Sequence, residues 1–109
     1  MFQPGDVVTA DFAGVTGIKR RPCIILSSDL YHTHRPDVIL AVVTTQLRAA
    51  TTPTDYILQD WKDAGLNAPS AVRIFLGTQP STAVQVIGHL TERDWKEVQA
   101  RTQLALAII

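Results

Sequence analysis

Sulfur is almost missing from this chain of 109 residues, which carries one cysteine, Cys23, and one methionine. A lone thiol excludes an intrachain disulfide framework and suits a reducing compartment. The histidines are three, and His32 and His34 have no Cys/His/carboxylate cluster beside them, so no metal or other cofactor is expected. Charge is also scarce, at 18% of residues, with ten basic side chains against ten acidic. A formal net charge of +0 excludes a global field that would steer the chain to nucleic acid. No apolar run approaches the ~18 residues that cross a bilayer. The opening Met1-Phe2-Gln3-Pro4-Gly5-Asp6 has neither the basic nor the apolar region of a secretion signal. The expectation is a soluble, cytoplasmic protein without membrane contact. Repeats, linkers and low-complexity segments are absent too, so residues 1–109 are expected to form a single domain.

What is present is apolar: 46% of residues are hydrophobic, a high share for so small a chain. An oligomer interface is the natural place for the surplus. The charges are unevenly spread. Residues 13–50 hold Lys19, Arg20, Arg21, Arg35 and Arg48 against only Asp29 and Asp37, so a polyanion would meet that half.

Residues 7–12, 21–28, 37–45, 54–58, 70–76 and 84–87 read as strands, from β-branched enrichment and period-two or wholly apolar patterning. Residues 13–20 read as a glycine-bearing loop, 29–36 as a polar loop, and 60–69 as a turn or single helical turn. One clear helix closes the chain. Thr91 stands as its cap with Asp94 in a capping box, Leu90 and Trp95 form a hydrophobic staple, and Trp95, Val98, Thr102, Ala105 and Leu106 share an apolar face. Short strands followed by one helix predict an α+β, mainly β fold: a small SH3-like antiparallel barrel with the helix packed on it.

Two junctions carry chemistry. At Arg21-Pro22-Cys23-Ile24-Ile25-Leu26-Ser27 a basic cluster runs into an apolar strand and pins Arg21 at its mouth. At Leu40-Ala41-Val42-Val43-Thr44-Thr45-Gln46 a buried strand ends in hydroxyls and an amide. A fixed guanidinium facing fixed hydroxyls describes a phosphate site. Thr45 points to the other face by strand alternation. Tyr31, His32 and Arg35 mix an aromatic, an imidazole and a cation, which suits single-strand binding by stacking, although a merely solvated loop fits equally. Cys23, Trp61 and Trp95 read as core or interface residues, and His89 as a structural hydrogen-bonder.

These residues, taken together, resemble the MazF/PemK/Kid family of toxin endoribonucleases. The resemblance rests on Gly5-Asp6-Val7-Val8 at the start, Arg21-Pro22 leading to Ser27-Ser28-Asp29, and Val43-Thr44-Thr45-Gln46. It continues in Gly65-Leu66 with Pro69-Ser70-Ala71-Val72-Arg73, and in Ile87-Gly88-His89-Leu90-Thr91 before the helix. It implies a homodimer that cleaves single-stranded mRNA sequence-selectively without a metal, neutralised by a cognate antitoxin. Arg21 and Thr44 are then the catalytic pair. Lys19, Arg20, Gln46, Arg73, Tyr31, His32 and Arg35 are the expected RNA contacts, with Arg73 equally suited to a barrel edge or dimer contact. The chain departs from the family in two places. Gly14–Arg20 lacks the loop's Gly-x-Glu or Gly-His-Glu element, and Phe75 stands where some relatives have an acid two residues after the arginine. The general base is therefore unassigned. Two alternatives remain: a barrel that has lost catalysis but keeps its partners, and a gyrase poison acting by binding alone. The second needs an aromatic helix end that Leu104-Ala105-Leu106-Ala107-Ile108-Ile109 does not supply.

Overall fold

Strand alternation normally sends one face to a core and the other to water. Here the apolar runs serve both faces, because two cores sandwich the sheet. The computed structural model of the chain describes residues 2–14 and 17–108. It contains β1 (Asp6–Gly14), β2 (Gly17–Ile25), α1 (Asp29–His34), β3 (Asp37–Thr44), β4 (Tyr56–Ile57), β5 (Ala71–Pro80), β6 (Gln85–His89) and α2 (Glu92–Leu106). The strands form one curled antiparallel sheet, a half-barrel, in the order β4-β5-β3-β2-β1-β6. One core joins Val8, Ala10 and Phe12 of β1 to Cys23 and Ile25 of β2 and to Val38, Leu40 and Val42 of β3. The other takes the alternate residues Val7, Ile24, Ala41 and Val43, and adds Val72, Leu66, Leu90 and Val98 of α2. A mainly β fold with a C-terminal helix is as expected from the sequence.

Four local expectations are corrected. Of the stretch read as loop, 13–14 and 17–20 are strand: β1 and β2 continue as a hairpin with Asp11 opposite Arg20 and Ala10 opposite Arg21. Ladder hydrogen bonds come from the backbone, so a glycine-bearing stretch that reads as loop still pairs, with Gly14 opposite Gly17. Arg21 consequently lies in mid-strand rather than at a strand mouth, at the point where β2 passes from exposed to buried. The connecting residues 15 and 16 lie outside the described residues. Residues 29–36 hold a short helix, capped by Ser28, whose hydroxyl accepts from the Tyr31 amide at 3.2 Å. The strand expected over 54–58 shrinks to the two residues of β4, and β5 runs on to Pro80.

The fourth correction concerns α2. The Thr91 side chain makes no capping bond; its hydroxyl donates to Asp60 at 2.6 Å. Asp94 is fully buried and accepts from the Tyr56 hydroxyl at 2.6 Å and from the amides of Gln59 and Asp60 at 3.1 and 2.8 Å. The expected capping carboxylate thus ties the helix to the segment after β4. Burial, reinforced by Asp94, pushes the Tyr56 hydroxyl up to about 12. Leu90 and Trp95 both pack into the helix-side core, while Ala105 and Leu106 of the predicted apolar face stay exposed. Gly88 has a steric reason: a β-carbon there would run into the Ala64 carbonyl oxygen.

Candidate active site

Arg21, Cys23 and Ile25 share one face of β2, and Val42 and Thr44 share the same face of β3, since Cys23 pairs with Val42. That face is packed with apolar side chains up to Val42 and Cys23. One step further along each strand come Thr44 and Arg21, so the core itself positions both polar groups at its rim. Across β3, Arg73 pairs with Val42 and joins them. The result is a cleft of about 480 Å³ lined by Phe12, Lys19, Arg21, Thr44, Gln46, Arg73 and Phe75. Five of the residues singled out in the sequence therefore meet in one place.

The polar groups are held differently. The Thr44 hydroxyl oxygen accepts from the Gln46 amide at 3.1 Å, which sets its rotamer and leaves the hydroxyl proton available to a ligand. Arg73 has an ion-pair partner but no hydrogen bond at Nε: this buried atom lies 3.7 Å from Oδ1 of the buried Asp55, whose other oxygen accepts from the Thr52 amide and hydroxyl at 3.1 and 3.0 Å. The side chains of Arg21 and Lys19 make no hydrogen bond or ion pair among the described residues. The lining holds three cations and no carboxylate or imidazole. In a partly enclosed cleft such a set raises the local concentration of anions.

The other expected contacts lie elsewhere. Arg20 faces away from Arg21, bonding Thr9 Oγ1 and the Ala83 carbonyl, each at 3.2 Å, with Asp11 at 3.6 Å. Tyr31, His32 and Arg35 sit on or after α1, before Asp37. They are therefore at the opposite end of β3 from Thr44, roughly 23 Å along an eight-residue strand. Most of their polar groups have intramolecular partners, although the buried His32 Nδ1 has none. Tyr31 donates to Asp37 at 2.7 Å, Arg35 donates to it at 3.2 Å, and His32 bonds the buried Ser27 at 2.6 Å. The Tyr31 hydroxyl bond, with help from Arg35, holds the Asp37 carboxyl below its ordinary range. Cys23 is a core residue, its thiol pushed up to about 12 by burial against the opposing pull of Arg21 and Arg20. His89 is a structural partner of Asp6, at 2.7 Å.

Asp55 and Phe75 were missed as site residues. Asp55 read as part of a half-exposed strand, and its pairing with Arg73 depends on the β4–β5 contact, which sequence spacing does not reveal. Phe75 read only as a missing acid, although an aromatic two residues after an arginine in the apolar half of a strand is a signal in itself.

Residues 3–106 match the family described as PemK-like, MazF-like toxin of type II toxin–antitoxin systems. The chain belongs to this family. Among individual proteins it is similar to Endoribonuclease EndoA of Bacillus subtilis (strain 168), 27% identical over 110 residues that span 96% of this chain and 94% of that one. Its fold matches an endoribonuclease in complex with its cognate antitoxin from a mycobacterial species, with a TM-score of 0.83, 21% identity, and 100% and 98% of the two chains covered. It also matches the Mycobacterium tuberculosis toxin MazF-mt6, with a TM-score of 0.77, 24% identity, and 95% and 98% covered. For a PemK/MazF toxin, then, the Arg21–Thr44 cleft is the feature to explain.

Proposed function

We propose that this PemK/MazF-family protein is an endoribonuclease toxin that cuts single-stranded RNA in the Arg21–Thr44 cleft. The observation that carries the reading is the convergence of Arg21, Thr44, Lys19, Gln46 and Arg73 in one cation-rich cleft with no acid on its lining. The name of the Bacillus subtilis relative supports the same activity. RNA brings its own nucleophile. The 2′-oxygen attacks the adjacent phosphorus, the P–O5′ bond breaks, and the products are a 2′,3′-cyclic phosphate and a 5′-hydroxyl. The proton lost by the 2′-hydroxyl balances the one gained by the 5′-oxygen. The protein's task is positioning and charge stabilisation. Arg21 suits the charge that grows on the non-bridging oxygens, because its planar fork matches phosphate and stays ionised. Thr44, its oxygen already engaged by Gln46, donates its proton to a phosphate oxygen. No carboxylate or imidazole lines the cleft among the described residues, so no side chain is assigned as proton acceptor.

The protein acts in the cytoplasm as a homodimer held in check by an antitoxin. Solved neighbours of the same fold are complexes with a cognate antitoxin or with MazE, and exposed Leu104, Leu106 and Ile108 supply apolar surface for association. None of the described helices is long and apolar enough to cross a membrane. The test is incubation of purified protein with a long RNA in excess chelator, read by primer extension. Discrete stops with 5′-hydroxyl ends are expected; intact RNA would sink the reading.

A further inference from the structure

Phe75 lines the cleft beside Arg21 and Thr44 and also lines a second, larger cleft of about 750 Å³ with Thr52, Thr54, Asp55, Arg73 and Ile74. The two clefts share Ala13, Arg73 and Phe75 in their linings, so the ring stands between them. It is 57% exposed, unusual for a phenylalanine in the middle of a ten-residue strand. The backbone explains how it is presented. Opposite β3 the pairing jumps from Ala41–Leu76 to Val42–Arg73, leaving Ile74 and Phe75 without partners. Such bulges re-aim side chains and cluster beside functional sites.

The ring is also braced. Phe12, itself buried, packs against it with centroids 5.6 Å apart and planes at 51°. Phe12 in turn occupies the space over Gly77, where a β-carbon would come within 2.8 Å of the ring tip. A glycine and a buried aromatic thus support one exposed aromatic face, with Arg73 and Lys19 sharing its cleft. An exposed ring flanked by cations fits an unpaired nucleobase, whose phosphate meets the cations while its π-face meets the ring.

We propose that Phe75 is the stacking platform for one nucleobase flanking the cleaved phosphate, and that the larger cleft receives that base. The inference rests on the ribonuclease reading of the adjoining cleft. Arg73, ion-paired with Asp55 at 3.7 Å and with its Nε free of any hydrogen bond, is placed to meet the edge or phosphate of the stacked nucleotide. Phe75 is therefore a substrate-positioning residue, and the position it holds contributes to sequence selection.

The test uses the full-length protein and an oligoribonucleotide spanning one mapped cleavage site, made uncleavable by a 2′-deoxy sugar at the cut. 2-Aminopurine replaces each flanking base in turn. Parent protein should quench the fluorophore at one flank only. Phe75→Leu, which keeps apolar bulk without a π-face, should abolish that quench. It should also weaken binding about ten- to hundredfold, raise KM by a similar factor and leave kcat nearly unchanged. Phe75→Trp should restore both signals. If the parent cuts RNA yet quenches at neither flank, or Phe75→Leu binds as the parent does, this proposal falls while the ribonuclease reading stands. If the parent cuts no RNA, the ribonuclease reading itself falls. If Phe75→Leu loses dimer or antitoxin affinity with RNA binding unchanged, the ring is a protein contact and the proposal is overturned.

Discussion

At the start of β3, Asp37 is closed off by Tyr31 at 2.7 Å and Arg35 at 3.2 Å; at its end, Thr44 faces Arg21 and Lys19, which have no such counter-charge on the cleft lining. Both ends combine aromatic, cationic and hydroxyl groups, and by composition alone both fit an RNA contact. The difference lies in what their polar groups already do. Charges that are paired and hydrogen-bonded have little left to offer a ligand, whereas a guanidinium held at the rim of a core by its neighbours' packing retains its donors. The contact between α2 and the segment after β4 resembles the closed end: Asp94 has three donors, and Asp60 has both Thr91 and Arg93, the latter at 2.7 and 2.6 Å. Compensated charge here fastens elements together, and uncompensated charge marks the candidate site.

The sharpest way to break this comparison is Arg21→Ala. Cleavage should fall by roughly 10²–10³, mainly in kcat, with thermal stability retained, because the side chain holds no partner whose loss would be felt. Arg21→Lys should restore little, since an ammonium lacks the two-pronged fit to phosphate. Arg73→Ala should cost less activity than Arg21→Ala. Single-turnover assays on all three settle the ranking, and parental cleavage by Arg21→Ala beside a dead Arg73→Ala would place the site on β5.

The reverse pattern is expected at the closed region. Asp94→Ala strands a buried hydroxyl and two amides and should destabilise the fold by about 3 kcal/mol, read as a shift of the urea midpoint. Any activity loss should follow the unfolded fraction alone. A folded but inactive Asp94→Ala would break the distinction.

A smaller effect separates shape from chemistry at Thr44. Thr44→Val should lower cleavage roughly ten- to hundredfold, while Thr44→Ser, which keeps the hydroxyl, should retain part of the rate. Equal rates for the two would remove the hydroxyl from the mechanism.

The smallest expected effect lies in the acid limb of stability. Arg93, and then Thr91, hold the Asp60 carboxyl down at about 2, against 3.8 ordinarily. A depressed carboxyl contributes stability above its ordinary value and loses it as pH falls from there toward its folded value. Arg93→Gln should therefore narrow the difference in Tm between pH 7 and pH 2, and an unchanged difference would show that the pair contributes nothing.

The sequence by itself determined the two apolar strand runs, the closing helix and the pairing of Arg21 with Thr44 in one reading. These follow from local pattern: alternation and burial act over neighbouring residues, and the family motifs lie on contiguous stretches. Tertiary structure alone decided the rest. Glycines made 13–20 read as loop, but ladder hydrogen bonds belong to the backbone, so the residues flanking Gly14 and Gly17 extend a hairpin. Asp94 has a capping position in the sequence, yet three donors from β4 and the residues just after it take it into the interior. Arg20 and Arg21 are adjacent in sequence and opposite in space, and the separation of Tyr31, His32 and Arg35 from the cleft is set by the length of β3. Phe75 acquires its place only through the register shift between β3 and β5. Contacts between distant segments depend on which strands pair and in what register, and no single stretch of chain encodes that.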